Sequence, residues 1–325
     1  MKRRTVLAAA LLPSAPGVAL SQPTSLPLVG FLAQEPVNAA SQPLYDAFLK
    51  GLAENGLVPG RNFLLEYRYN SSNYERMAEH VTEFVKLGAA VLVTPSTQSA
   101  QIARRITQTV PLVIVAAGDP VGSGLAVSLA KPGTNVTGMS SQGVDFATKQ
   151  LELLLAMVPH AKRIAIVMNP ENAPHAAGLA QVLAVAPAKG LEIFSVTKRS
   201  PEDVDPAIRR VADLGCSAMI MFDDPVLGAT RAKVIALANA NRLPAIYQWR
   251  LYVGAGGLMS FGPNLADLFR RSASHIARLL RGENPAEMPI EQPTQFDLVI
   301  NLKTVKALGL IAPPALLARA DEVIE

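Results

Sequence analysis

The chain has 325 residues, half of them apolar and 17% charged, so it can bury large cores and is long enough for two domains. Its formal charge of +4 is concentrated at the start, in Lys2, Arg3 and Arg4, and falls to +1 once residues 1–21 are set aside. A nearly neutral chain gives no electrostatic ground for binding nucleic acid, and no such partner is expected.

The first residues read as a targeting segment. MKRR is a positive start, the run that follows is apolar, and ALS at 19–21 supplies small residues before a cleavage point. Pro13, Pro16 and Gly17 break the run, which is short for a membrane span. A signal peptide over 1–21, cleaved near Ser21, and a periplasmic mature chain are therefore expected. Sec and twin-arginine export both remain open at Arg3-Arg4. Cys216 is the one cysteine, set in LGCSAMIM away from the cleavage point. It reads as a buried, inert thiol, with no lipid anchor and no internal disulfide.

From there apolar runs alternate with amphipathic stretches. LPLVGFL (26–32) reads as a strand, and residues 42–55 place Leu44, Phe48, Leu49 and Leu52 on one helical face. A strand is expected over 63–69, a helix over 73–88 closed by glycine, a strand over 89–94, a helix over 97–108 and a strand over 111–117. This alternation implies a parallel sheet covered by helices on both faces.

The alternation then restarts. RIAIVM (163–168) is a strand, followed by a helix, a strand over 191–197, a helix over 201–215, a strand over 217–222, a helix over 226–241 and a strand over 243–249. Pro187 conflicts with the first of these helices, which should kink or end early. The two series align module by module, LPLVGFLAQEP with RIAIVMNPENA and NYERMAEHVTEFVKLGAAVLVTPS with PEDVDPAIRRVADLGCSAMIMFDD. They read as two similarly built α/β lobes. A long helix (264–285) and a strand running into a helix (296–310) are too few for a third domain and should return to the lobes already built. The expected division is 26–139 plus 262–285 for lobe 1, and 140–261 plus 286–325 for lobe 2. Two lobes joined by several crossings make a hinged cleft, with the strands' carboxyl ends facing it.

GDPVGSGLAVSLAKPGTNVTG (118–138), IYQWRLYVGAGGLMSFGPNLADLFRR (246–271) and FDLVINLKTVKALGLIAPPALLARADEVIE (296–325) resemble the bacterial ABC-transporter substrate-binding protein family whose known members bind aromatic amino acids. The resemblance spans nearly the whole mature chain. It implies a type I periplasmic-binding fold: two doubly wound parallel-sheet lobes, a hinge of three crossovers, and closure around a small solute. It also implies an ABC permease as partner and a monomeric receptor.

Candidate site residues follow from the strand ends. Gly118, Gly122 and Gly124 follow the strand at 111–117, but no Lys-Ser or Lys-Thr completes a P-loop and the spacing is not GxGxxG. A nucleotide is not expected there. The loop reads as a cleft-edge turn that brings Asp119 toward a ligand, or as a turn shaped by Asp119 and Pro120 alone. Gln34 and Glu35 follow the first strand. Ser96 and Thr97 open a helix whose free N–H groups suit a carboxylate and which also needs an N-cap. Ser140 and Ser141 lie at the first crossing. In lobe 2, Asn169, Glu171 and Asn172, then Asp223 and Asp224, then Gln248 and Trp249 stand after strands. Asp223 and Asp224 suit an ammonium, and Trp249 or Tyr247 an aromatic ring.

Catalysis has thin support. His80, His160, His175 and His275 show no metal-ligand spacing, and no GxSxG elbow occurs. No enzyme activity, cofactor or metal is expected. The leading expectation is an exported receptor delivering an aromatic or branched apolar amino acid to an ABC importer. The alternative is a periplasmic sensor of a small carboxylate or amide that signals to a membrane receptor.

Overall fold

The computed structural model describes residues 26–34, 36–39, 41–70, 73–141, 146–224 and 230–325. The expected signal peptide, Glu35 and the start of the helix expected from 226 lie outside the described residues. Two sheets carry the fold. The first has the order β11-β5-β4-β3-β1-β2. Its strands are β1 (Leu28–Ala33), β2 (Leu64–Tyr69), β3 (Val91–Thr94), β4 (Leu112–Ala117), β5 (Val136–Ser140) and β11 (Ile290–Glu291). Every neighbouring pair in it is parallel. β3 is buried throughout, as a strand covered on both faces must be, and therefore lacks the alternation of a half-exposed strand.

The second sheet has the order β13-β12-β10-β9-β8-β6-β7. It contains β6 (Arg163–Met168), β7 (Glu192–Thr197), β8 (Ala218–Met221), β9 (Ala245–Tyr247), β10 (Met259–Pro263), β12 (Phe296–Asn301) and β13 (Glu322–Ile324). It is parallel except where β12 runs against β10. Each sheet has an apolar core on either face, so both lobes are doubly wound.

In the first lobe the helices are α1 (Gln42–Glu54), α2 (Tyr74–Lys86) and α3 (Thr97–Ile106), joined by a late arrival, α9 (Leu265–Leu280). α9 lies along α1, and the approach is close enough that a Cβ on Gly51 would stand 2.1 Å from the carbonyl oxygen of Arg270. The second lobe holds α4 (Phe146–Met157), α5 (Ala173–Val185), α6 (Val204–Asp213), α7 (Arg231–Ala240) and α8 (Arg250–Gly254). Near the end of the chain follow α10 (Leu302–Ala307) and α11 (Pro314–Leu317). Pro187 acts as its chemistry requires: α5 ends at Val185 and Pro187–Lys189 forms a 3-10 turn.

The chain passes between the sheets three times: from β5 to α4, from β10 to α9, and from β11 to β12. Residues 286–291, expected in lobe 2, belong instead with the first sheet. β11 pairs with β5, and Met288 and Ile290 are buried in the first lobe's cores. On the second lobe's side of the crossings, Phe146, Phe261 and Phe296 pack ring on ring, with Phe261 stacked on both others at 6.0 and 5.6 Å. Among the described residues no helix is long and apolar enough to cross a membrane.

Candidate functional site

The carboxyl ends of strands from both sheets face one cleft. From the first lobe come Phe31 within β1 and Gln34 after it, Pro95 to Gln98 after β3, and Ala116 and Gly118 at the end of β4. Tyr45 from α1 and Phe269 from α9 close that side. From the second lobe come Asn172, Pro174 and His175 at the start of α5, Asp223 after β8, and Gln248 and Trp249 after β9. The space left inside the cleft is about 190 Å³, and side chains from both lobes line it.

Asp223 is fixed on its floor. Trp249 Nε1 donates to Oδ2 at 2.7 Å and the Tyr252 hydroxyl donates to Oδ1 at 2.8 Å. Burial raises the carboxyl's pKa, and those two hydrogen bonds work the other way. An ionised carboxylate has about four acceptor positions, so two remain for a ligand. Gln248 is held just above β10 by a tight approach: a Cβ on Gly262 would sit 2.0 Å from the Gln248 carbonyl oxygen.

Opposite stands the start of α3. Ser96 and Ser99 form a reciprocal cap, and the Thr97 hydroxyl accepts from Gly118 N–H at 3.0 Å, tying the β4 turn to the helix. The Ser99 N–H is used by the Ser96 side chain. Thr97 and Gln98 line the cleft, and their N–H groups, in the first turn, have no partner within the helix.

Behind Asp223 lies a polar cluster. Asp224 Oδ2 accepts from Asn169 at 3.0 Å, from Asn172 at 3.2 Å and from Gln98 of the first lobe at 3.3 Å. His175 is buried, and burial lowers its pKa. Its Nδ1 accepts from Asn169 N–H at 3.0 Å and its Nε2 donates to the Asp223 carbonyl at 2.8 Å, an arrangement that fits the neutral ring. Lys198 is 2% exposed, and its Nζ is buried without a hydrogen-bond partner. Burial brings its pKa down to about 8, against the attraction of Asp224 and Asp223.

Of the candidates from the sequence, Gln34, Ser96, Thr97, Asp223, Gln248 and Trp249 line the cleft. Asn169 and Asp224 are buried behind it, and Ser140 is buried at the end of β5 while Ser141 faces in. Asp119 turns away: its Oδ1 accepts from Gly122 N–H at 2.8 Å and closes its own turn. Tyr45, His175, Arg231, Tyr252 and Phe269 line the cleft without having been singled out. For Lys198 a signal existed, since it follows a strand of the second lobe as the other candidates do. Among the described residues no group of three or more His, Cys, Asp or Glu is arranged to hold a metal ion.

The family described as ABC transporter substrate binding protein matches residues 37–324. The chain belongs to that family. It is a family of solute-binding proteins, not of enzymes. A tyrosine-binding protein of Clostridioides difficile is 25% identical over 81% of this chain and 75% of its own length. A Streptococcus pneumoniae ABC domain in complex with L-Trp superposes with a TM-score of 0.85 at 24% identity, covering 92% of this chain and all of its own. The ligand-free, open structure of a substrate binding protein from Clostridium difficile gives a TM-score of 0.66 at 25% identity, over 92% of this chain and 99% of its own. These likenesses confirm the expected fold, the type I periplasmic-binding architecture. They place this substrate-binding protein among receptors for small solutes.

Proposed function

We propose that this substrate-binding protein is exported to the periplasm and captures one free aromatic or branched apolar amino acid for an ABC permease. The observation that carries the reading is Asp223, an acceptor at the floor of a cleft whose opposite wall presents the N-terminus of α3. The ligand's ammonium would sit on Asp223 and its carboxylate on the N–H groups of Thr97 and Gln98. Its side chain would lie among Phe31, Tyr45, Phe269 and Trp249. Asp223 and Arg231 are the one acid and the one Lys or Arg lining the cleft among the described residues, a balance suited to a zwitterion more than to a lone anion. The relatives that bind tyrosine or carry L-Trp support the same class.

A ligand with one end on each lobe favours the closed arrangement, because only there are both sets of contacts made. The better superposition on the tryptophan complex than on the open structure agrees with lobes drawn together. The test has two parts. The mature chain recovered from the periplasm should lack residues 1–21 by mass. After unfolding and refolding to remove any carried solute, it should be melted with each of the twenty amino acids. A solute at about 1,000 times its Kd adds roughly 4 kcal/mol. One or a few aromatic or branched residues should raise Tm by several degrees. A panel with no response sinks the amino-acid assignment.

A further inference from the structure

The reading above counts Arg231 in the charge balance of the cleft but gives its guanidinium no contact with the ligand. Arg231, the first residue of α7, is half-buried and lines the cleft. Among the described residues no carboxylate pairs with its guanidinium and no hydrogen bond from it is found, unlike Arg68, Arg250, Arg270, Arg271 and Arg278, which all hold carboxylates. Its position is also electrostatically unfavourable, because the first turn of a helix carries partial positive charge and favours acids. An unpaired guanidinium at that place, turned into a binding cleft, is better matched to a ligand than to the fold.

The geometry assigns it a part of the ligand away from Ser96 and Thr97. α7 packs against α8, and α8 supplies Leu251 and Tyr252 to the cleft wall. Tyr252 feels the guanidinium's charge while its hydroxyl is committed to Asp223. Arg231 thus stands on the lobe opposite the α3 N-terminus, beside apolar wall residues.

We propose that Arg231 donates to an oxygen carried by the ligand's side chain, so that the cleft selects aromatic amino acids with a ring oxygen over the bare ring. This rests on the amino-acid reading of the same site. A site that hydrogen-bonds a substrate hydroxyl discriminates against the analogue lacking it, because the site's own polar group is then left unpaired.

The experiment is calorimetric titration of L-tyrosine and L-phenylalanine, which differ by one hydroxyl, into the ligand-stripped chain and its Arg231→Met and Arg231→Lys variants. A charge-assisted hydrogen bond predicts tyrosine binding roughly ten- to hundredfold tighter than phenylalanine in the parent. Arg231→Met should bring tyrosine down to the phenylalanine level and leave phenylalanine unchanged, and Arg231→Lys should restore part of the difference. Equal affinities in the parent, or an equal loss of both in Arg231→Met, overturn the proposal while the amino-acid reading stands; the second result would move Arg231 to the α-carboxylate. If the folded parent binds neither, nor any other amino acid, the underlying reading fails and this proposal fails with it.

Discussion

Gln98 Nε2 lies 3.3 Å from Asp224 Oδ2 and joins the first lobe to the second across the cleft. Asn169 and Asn172 hold the same oxygen from within the second lobe, so the acceptor is in place before the lobes meet. The bond exists only when they are together and therefore stabilises the closed form. Replacing Gln98 with Ala should weaken solute binding about three- to tenfold, the scale of one ordinary hydrogen bond, since the contact is long at 3.3 Å. Tm of the ligand-free chain should hardly move. Calorimetry and melting together check this; unchanged affinity would mean that the contact adds nothing to closure.

Asp223→Asn separates charge from shape. The folded carboxyl has its pKa raised above 3.8, chiefly by burial. From about 3.8 up to that raised value the folded chain keeps a proton that the unfolded chain has lost, so this group's contribution to stability falls as pH rises through the window. The buried carboxylate, when ionised, is a cost to the fold that Asn lacks. The variant should melt at or above the parent's temperature and bind an amino acid at least about a hundredfold more weakly, as expected for losing a charged partner. Binding that survives the substitution would move the ammonium site elsewhere.

Lys198 gives the opposite pH signature. Its folded pKa of about 8 lies below the ordinary 10.5. Between those values the unfolded chain holds the extra proton, so stability from this group rises with pH across the window, and its cost is fully present below pH 8. Lys198→Met should raise stability at pH 7 by up to about 3 kcal/mol, and the gain should fade as pH rises from about 8 to 10.5. Denaturant melts at pH 7 and pH 10 read both. A variant destabilised at pH 7 would show that attraction to Asp224 and Asp223 outweighs burial.

Much of this architecture is legible in the chain. RIAIVM reads as a strand because a sheet covered on both faces needs an unbroken apolar run, and β6 has those bounds. Ser96, Thr97, Asp223 and Trp249 follow strands in the sequence, and the structure places them along the cleft. Other parts leave no local mark. α4 buries Phe146, Ala147, Leu151, Leu153, Leu154 and Met157 around several of its faces, so no amphipathic period reveals it. β10 contains Gly262 and Pro263, residues that interrupt a strand pattern. Tyr45, Phe269 and Arg231 sit on helices far apart in sequence, and only the return of α9 to the first lobe and the packing of α7 on α8 bring them to one cleft. Asp119 resembled a site residue because a turn aspartate and a ligand aspartate follow a strand in the same way.

Gly51→Ala tests that return. A methyl group 2.1 Å from the Arg270 carbonyl oxygen cannot be accommodated without moving α9 off α1. Overpacking of this kind costs about 1–3 kcal/mol or more, although Ala is otherwise the better helix former. The variant should lose several degrees of Tm. A stability equal to the parent's would mean that 265–280 does not pack on α1 in this way.

The central claim is that one amino acid, bound between the lobes, is the solute. Calorimetric titration of the ligand-stripped chain with L-tyrosine, L-phenylalanine, L-tryptophan, L-leucine, L-isoleucine and L-valine tests it most directly. The account predicts saturable binding at one site per chain for at least one of the six, lost in Asp223→Asn. No heat of binding from any of them, with the chain shown to be folded, would contradict it.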